Sequence, residues 1–332
     1  MPTVSLSAWR EFIASQPNPH LLQSAEWGEL KKNFGWQVER IICGGSGIQI
    51  LFRKLPLGFS IAYAPRPVNS ERFSKEFLAE IDAVCRQKHA TFLKIEPDFW
   101  ESEASPLPPG EGLDVRKTRL SPHNIQPPRT ILVSLNGSEE EILGRMKQKC
   151  RYNIRLAEKK EIRVRAWNDL DGFHRLMQIT GGRDGFGVHS REYYQKAYDL
   201  FHPAGMAEIL VAEYAGQPLA ALMVFALGAR AYYLYGASSE LERNRMPAYL
   251  LQWRAMQWAR QRGCSQYDLW GVPDADEVSL EAQFESRSDG LWGVYRFKRG
   301  FGGEVKRAAQ ALDRVYLPPL YWAYLQWMKK RG

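Results

Sequence analysis

The stretch that most restricts the fold runs from residue 231 to 303. It opens on Ala231-Tyr-Tyr-Leu-Tyr-Gly-Ala-Ser238, an aromatic run that reads as a strand, with Tyr233 and Tyr235 on one face by the period of two. A polar turn over 240–246 follows, and Pro247 sits where a first helical turn tolerates it. Ala248, Leu251, Ala255 and Trp258 then recur at helical spacing until Gly263 stops the helix. Residues 266–270 form a short strand. After a polar insertion the chain gives Gly290-Leu-Trp-Gly-Val-Tyr-Arg-Phe-Lys298-Arg-Gly-Phe-Gly-Gly303. A strand, turn, helix and strand with an anion-compatible helix start suits acyl transfer better than a nuclease or a kinase.

The preceding 230 residues alternate helix and strand. Ser24 caps a helix that carries Glu26 and Glu29 early and Lys31 and Lys32 late. Lys31 there either complements the helix dipole or serves a ligand. Strands are expected over 38–42, 47–52 and 59–63, the last leaving through Ala64-Pro-Arg66-Pro67. A helix over 73–85 precedes another strand, Thr91-Phe-Leu-Lys94-Ile-Glu96-Pro-Asp98. Pro-rich segments at 105–110 and 124–129 bracket an edge strand, against which 130–135 is expected to pair. Farther on, a strand (163–167), a helix (170–179), a loop (180–189), a helix with Tyr193 and Tyr194, and a hairpin (207–214 with 218–227) lead into the opening stretch. The mixed order indicates α/β or α+β layers rather than a bundle or a sandwich. A chain of 332 residues holds two cores. The expected domains are 1–140 and 141–316, with an aromatic helix over 317–332 that packs on either half or touches a membrane.

Charge is concentrated in one place. Ser138 with Glu139, Glu140 and Glu141 starts a helix whose apolar face carries Leu143, Met146, Cys150, Ile154 and Ala157. Its other faces hold Arg145, Lys147, Lys149, Arg151 and Arg155, with no acid from Ile142 to Ala157. A solvated face usually mixes signs, so phosphate contact is the expected reading and an ordinary soluble face the alternative. Tyr152 there either stacks on a base or packs. The net charge of +8 and pI near 9.2 agree with an anionic partner. Cys43, Cys85, Cys150 and Cys264 form no C-x-x-C pair, which argues against a zinc site or a disulfide framework. No apolar run is long enough to span a bilayer and the N-terminus lacks a signal pattern, so a cytoplasmic protein is expected, peripheral at the inner membrane face at most.

Several runs in order resemble the FemABX family of non-ribosomal peptidyltransferases. They are Leu22-Gln-Ser-Ala-Glu-Trp-Gly-Glu-Leu-Lys31, Ala64-Pro-Arg66, Lys94-Ile-Glu-Pro-Asp98, Met146-Lys-Gln-Lys-Cys-Arg-Tyr-Asn-Ile-Arg155, residues 180–194, Tyr233-Leu-Tyr-Gly-Ala-Ser238, Tyr267-Asp-Leu-Trp-Gly-Val-Pro-Asp274 and Tyr295-Arg-Phe-Lys298-Arg-Gly-Phe-Gly-Gly303. The resemblance implies two tandem GNAT-like domains, in the short form without a coiled-coil arm. It implies transfer of Gly, Ala or Ser from aminoacyl-tRNA to the side-chain amine of the peptidoglycan stem peptide, carried by lipid II or by UDP-MurNAc-pentapeptide. No cofactor and no DNA partner are implied. By position, Lys31 and Tyr193 match residues contacting the acceptor's diphosphate and uridine. His189 stands where a basic residue is common, so Arg183 or Arg191 would supply that grip. Arg66 falls in a matching substrate-side motif. Tyr233 and Tyr235 match an aromatic pair lining the peptide cleft, Lys298 the lysine near the aminoacyl ester, and Asp98 an acid in the cleft. Lys147, Arg151 and Arg155 are the expected tRNA contacts.

The residues fit such chemistry. An acceptor amine with an ordinary pKa of about 10.4 must lose a proton, for which Asp98 and Asp268 are candidates, each alternatively a salt-bridge partner. Lys298 would hold an oxyanion or a tRNA phosphate. An aminoacyl ester is already activated, so the lack of a Ser-His-Asp or Cys-His set costs nothing. Two rivals remain at this stage, a CoA-dependent N-acyltransferase and a non-catalytic tRNA- or membrane-binding protein. The turn Arg243-Asn-Arg-Met-Pro247-Ala248 lacks the glycines, and at Pro247 the N–H, that a CoA diphosphate needs.

Overall fold

The computed structural model describes residues 3–70, 73–101 and 118–330, and the chain separates into two compact units, Met1–Pro128 with Arg307–Gly332, and Arg129–Lys306. The Pro-rich segment at 105–110 and Arg331 lie outside the described residues.

The first unit begins with α1 (Leu6–Ser15) and α2 (Ala25–Asn33), followed by β1 (Trp36–Cys43), β2 (Ser46–Lys54), β3 (Ser60–Pro65), α3 (Lys75–Gln87), β4 (Ala90–Glu96) and β5 (Thr118–Leu120). The returning C-terminal segment, numbered by its place in the chain, adds β13 (Leu312–Val315) and α11 (Pro318–Lys329). These strands form one mixed sheet in the order β1-β2-β3-β4-β13-β5. Ser24 and Ser74 start α2 and α3 by accepting the Trp27 and Phe77 backbone N–H groups at 3.1 Å each. Ile41, Ile50, Phe52, Ile81 and Leu93 are among the residues buried between α3 and the sheet.

Two buried ion pairs tie the last strand down. Lys94 reaches Asp313 at 2.8 Å, and its ammonium also donates to the Ser121 hydroxyl and to the His123 carbonyl. The other Asp313 oxygen accepts from the Tyr321 hydroxyl of α11 at 2.9 Å. Arg314 donates to Asp82 of α3 at 2.8 Å, and Tyr316 to the same carboxylate at 3.0 Å. The ring of Phe92 meets Tyr321 edge-on at 5.1 Å, which seats α11 on β4.

The second unit comprises β6 (Arg129–Ser134), α4 (Glu139–Arg145), α5 (Gln148–Lys159), β7 (Arg163–Ala166), α6 (Leu170–Asp184), α7 (Arg191–Phe201), β8 (Ala207–Tyr214), β9 (Gln217–Leu227), β10 (Arg230–Ser238), α8 (Pro247–Gln261), β11 (Gln266–Asp268), α9 (Glu277–Gln283), α10 (Trp292–Lys298) and β12 (Glu304–Arg307). Its sheet runs β12-β6-β11-β10-β9-β8-β7, with β11 parallel to β10. α5, α8 and α10 cover one face around Ile154, Leu251, Met256, Tyr267 and Tyr295.

Three expectations differ from this arrangement. β6 does not pair with the edge strand of the first sheet: it bonds antiparallel to β11, while β5 pairs with β13. Residues 129–134 and 312–315 therefore belong to the opposite units from those expected. The basic helix is two helices, because Met146 and Lys147 take extended backbone angles after the Ser138–Glu141 capping box has started α4. Finally, α6 continues past Ile179 to Asp184, since Gly181 lets the Phe186 carbonyl and Val188 fold close over it before left-handed Gly185 ends the helix.

Removing one member of a buried pair leaves the other charge uncompensated. Asp313→Ala is expected to lower the unfolding free energy by about 3–5 kcal/mol, read by urea denaturation. A loss within the noise of the method would show that the Lys94 pair does not hold β13 and α11.

Candidate active site

The central strand of the second sheet is not regular. Tyr233 is opposite Val224 and Tyr235 opposite Met223, so Leu234 is an extra residue in a β-bulge. Adjacent residues of β9 point to opposite faces, and the two tyrosines therefore do too. The expectation that they share one face is corrected here: the bulge cancels the period of two. Tyr233 joins the face covered by α8 and α10, its ring lying over Gly236, where a Cβ would overlap it. Tyr235 joins the face covered by α6 and α7.

On that second face the Tyr235 hydroxyl lies 3.2 Å from the Tyr193 hydroxyl, and its ring meets Tyr194 edge-on at 5.3 Å. His189 stacks on Tyr193 with centroids 3.9 Å apart and planes 16° from parallel. His189 is exposed and its backbone N–H donates to the Tyr194 hydroxyl at 3.3 Å. Burial and the neighbouring tyrosines push the Tyr235 phenol well above its usual pKa, so it stays a neutral hydroxyl. Arg183, at the end of α6, pairs with Asp184 and donates to the Ser238 carbonyl at 3.0 Å, which places it at the exit of β10. Arg191 is held by Asp171 at 2.8 Å. Thus His189, Tyr193 and Tyr235 are brought together, and Arg183 is tied to the same strand end.

The other constellation lies where β11 ends. Lys298, the last residue of α10, is 7 % exposed and donates to the carbonyls of Trp270 at 3.0 Å and Gly271 at 2.8 Å. Trp270 takes a left-handed conformation, φ +59°, uncommon for a bulky residue. Its N–H donates to Asp268 Oδ1 at 2.8 Å, and the Thr130 hydroxyl donates to the same oxygen. Asp268, buried at the end of the strand, therefore holds the bend that aims both carbonyls at the amine. Desolvation pushes Lys298 down to about 7, opposed by the nearby Asp268 charge. The Tyr233 ring centroid is 5.7 Å from the same nitrogen. Sequence reasoning placed Lys298 and named Asp268 as a proton acceptor; Trp270, Gly271 and Thr130 it missed. A β-type residue in the left-handed region leaves no signal in composition or period.

The basic segment is distributed over a helix start. Lys147 precedes the first residue of α5; Lys147, Lys149 and Arg155 are exposed, and Arg151 is partly so. Cations at the positive end of a helix are electrostatically unfavourable unless an anion joins them. Arg151 also donates to the Gly144 carbonyl at 3.2 Å and the Met146 carbonyl at 2.5 Å, satisfying the end of α4. In the first unit, Lys31 lies over the Trp27 ring at 4.4 Å. Arg66 is buried, left-handed at φ +51°, and donates to the Pro97 carbonyl at 2.5 Å, so its guanidinium braces the ends of β3 and β4. Asp98 lies in the bend after β4, partly exposed.

At the start of α8, Arg245 is drawn back by Glu242 at 2.7 Å and stacks on Tyr214 at 3.5 Å. Left-handed Met246 follows, and Pro247 has no N–H. This turn offers a poor cradle for a diphosphate.

The sign of the Lys298 shift fixes how stability depends on pH. Between about 7 and 10.4 the unfolded chain binds a proton that the folded one does not, so stability rises with pH across that window, and the burial cost is complete below it. Lys298→Met is expected to be more stable than the parent by about 1–4 kcal/mol at about pH 6, with the gap closing toward about pH 10. A difference independent of pH in urea denaturation would contradict the shifted amine.

The FemAB family model matches residues 4–105, and an acetyltransferase (GNAT) domain model matches residues 144–299. A lipid II:glycine glycyltransferase of Staphylococcus haemolyticus (strain JCSC1435) is 27% identical over 93% of this chain and 91% of its own length. One of Staphylococcus aureus (strain USA300) is 28% identical with the same coverages. Among solved structures, FemX superposes with a TM-score of 0.81 at 24% identity, covering 96% of this chain and 98% of its own. L-PGS from Bacillus licheniformis follows the fold more loosely, with a TM-score of 0.58 at 14% identity over 95% and 93%. The structural likeness gives the fold, two mixed GNAT-like sheets in one chain, and the FemAB match together with the extended relatives shows that the chain is similar to FemAB-family proteins over most of its length.

Proposed function

We propose that this chain is a peptidoglycan cross-bridge aminoacyltransferase. It moves an amino acid (Gly, Ala or Ser) from aminoacyl-tRNA to the side-chain amine of the stem peptide, in lipid II or in UDP-MurNAc-pentapeptide. The observation that carries the reading is the desolvated Lys298 amine on two backbone carbonyls, in a chain whose relatives over 93% of its length are lipid II:glycine glycyltransferases.

An ammonium has three N–H donors. Trp270 and Gly271 take two, and the third is left for the oxyanion that forms when the acceptor amine attacks the ester carbonyl. Collapse of that intermediate expels the ribose oxygen of the tRNA and leaves an amide. The amine must shed a proton on the way. Asp268 is engaged by Thr130 and Trp270 and holds the bend under Lys298, so the proton passes to solvent. Within the second unit, binding of the acceptor's diphosphate and uridine falls to Tyr193 and His189, with Arg183 supplying a fixed positive charge. Tyr235 orients Tyr193 through their hydroxyls, whereas Tyr233 lines the Lys298 side. In the first unit Arg66 braces the ends of β3 and β4 through the Pro97 carbonyl. Lys147, Arg151 and Arg155 receive tRNA phosphates at the start of α5. No cofactor is needed, because the ester was activated when the tRNA was charged.

Transfer of a radiolabelled amino acid from charged tRNA to lipid II tests the reading directly. Activity is expected with the parent, and Lys298→Ala should lower kcat by about 10²–10³-fold, the usual cost of removing an oxyanion donor. Transfer that requires acetyl-CoA, or no transfer at all, would instead favour an N-acyltransferase or a binding protein. The affinity for tRNA should fall steeply with salt, and Arg151→Gln with Arg155→Gln should flatten the log–log slope by about 1–2 while sparing acceptor binding. Equal losses toward both substrates would remove the tRNA from this helix.

A further inference from the structure

The helix α11 packs on β4 through Tyr321, Tyr324 and Leu325, and that face accounts for its place in the first unit. The opposite side carries Trp322, 64 % exposed, and Trp327, 48 % exposed, with Leu320 also exposed. These flank Ala323 and end at exposed Lys329 and Lys330. Residues 318–330 contain no acid. Tryptophan is costly to leave in water and prefers the boundary between hydrocarbon and headgroups, where lysine ammoniums meet anionic phosphate. Among the described residues no helix is long and apolar enough to cross a membrane, so a helix of this kind can only lie along the surface.

We propose that the outer face of α11 docks on an anionic phospholipid bilayer, with Trp322 and Trp327 at the headgroup level and Lys329 and Lys330 on lipid phosphates. Charge selects this occupant over a second copy of the chain. Symmetric pairing through this face would bring two molecules of net charge +8 together with no acid on the helix to offset them. The use of such a surface rests on the lipid-borne acceptor proposed above, which resides at a membrane; the surface itself does not.

Co-sedimentation of the full chain with vesicles of phosphatidylglycerol and phosphatidylcholine, free of tRNA and acceptor, tests the docking alone, so its failure would leave the transfer reading standing. The parent should bind these vesicles at least about tenfold more tightly than vesicles of phosphatidylcholine only. Trp322→Ser with Trp327→Ser should abolish binding, and their thermal unfolding midpoint shows whether the fold survives. Lys329→Gln with Lys330→Gln, at the helix end and unable to disturb the core, should weaken binding by about fivefold per lysine. The proposal is overturned if the parent does not sediment with the anionic vesicles, or if the lysine variant binds as the parent does. It is equally overturned if the tryptophan variant dissociates a dimer in sedimentation velocity while binding vesicles undiminished.

Discussion

An amine buried away from water must be hydrogen-bonded, and the way Lys298 meets that demand shapes the end of the second sheet. Its partners are two consecutive carbonyls, which a straight strand could not present because successive carbonyls point to opposite sides. The left-handed turn at Trp270 brings both to one side, and Asp268 with Thr130 holds that turn. α10 must then end at β11, and the glycines at 302 and 303 let the chain turn back close to the Arg145 and Leu132 carbonyls. One hydrogen-bond requirement thus links β6, β11 and α10.

The first unit contains an instructive contrast. Lys94 is as deeply buried, but it touches the Asp313 carboxylate directly, and Tyr321 and Ser121 complete the set. A fully satisfied ion pair of this kind fastens β13 and α11. Among the described residues Lys298 has no carboxylate in contact, only carbonyl dipoles, with Asp268 acting at a distance and through the backbone. Its charge is therefore held loosely, and its affinity for further negative charge is high. The two lysines are both buried and differ in their partners, a carboxylate for one and backbone carbonyls for the other.

Much of this arrangement was legible in the sequence. Caps at Ser24 and Ser138, and the helical spacing of Leu251, Ala255 and Trp258, gave the helices; alternating runs gave β1–β4 and β8–β10. Residues 275–289 read as a polar insertion, yet Asp276 caps α9 there. The bulge at Leu234 was hidden, because Tyr-Leu-Tyr satisfies a regular strand equally well and only the register against Met223 and Val224 reveals the extra residue. The break at Met146–Lys147 was hidden for a similar reason: Met146, Cys150, Ile154 and Ala157 keep helical spacing while the backbone between α4 and α5 opens. Pairing partners of β6 and β5 depend on contacts far apart in the chain, which local pattern does not encode. Lys298 and Tyr193 were singled out by resemblance, and the carbonyls around the one and the stacked ring on the other were not legible in the sequence.

The central claim is that Lys298 carries a desolvated amine poised near neutrality. Lysine labelled with 13C at Cε, with Lys298→Arg to assign the signal, reports its titration directly. The account predicts a midpoint near 7 for this one resonance. A midpoint at the ordinary lysine value of about 10.4 would contradict it.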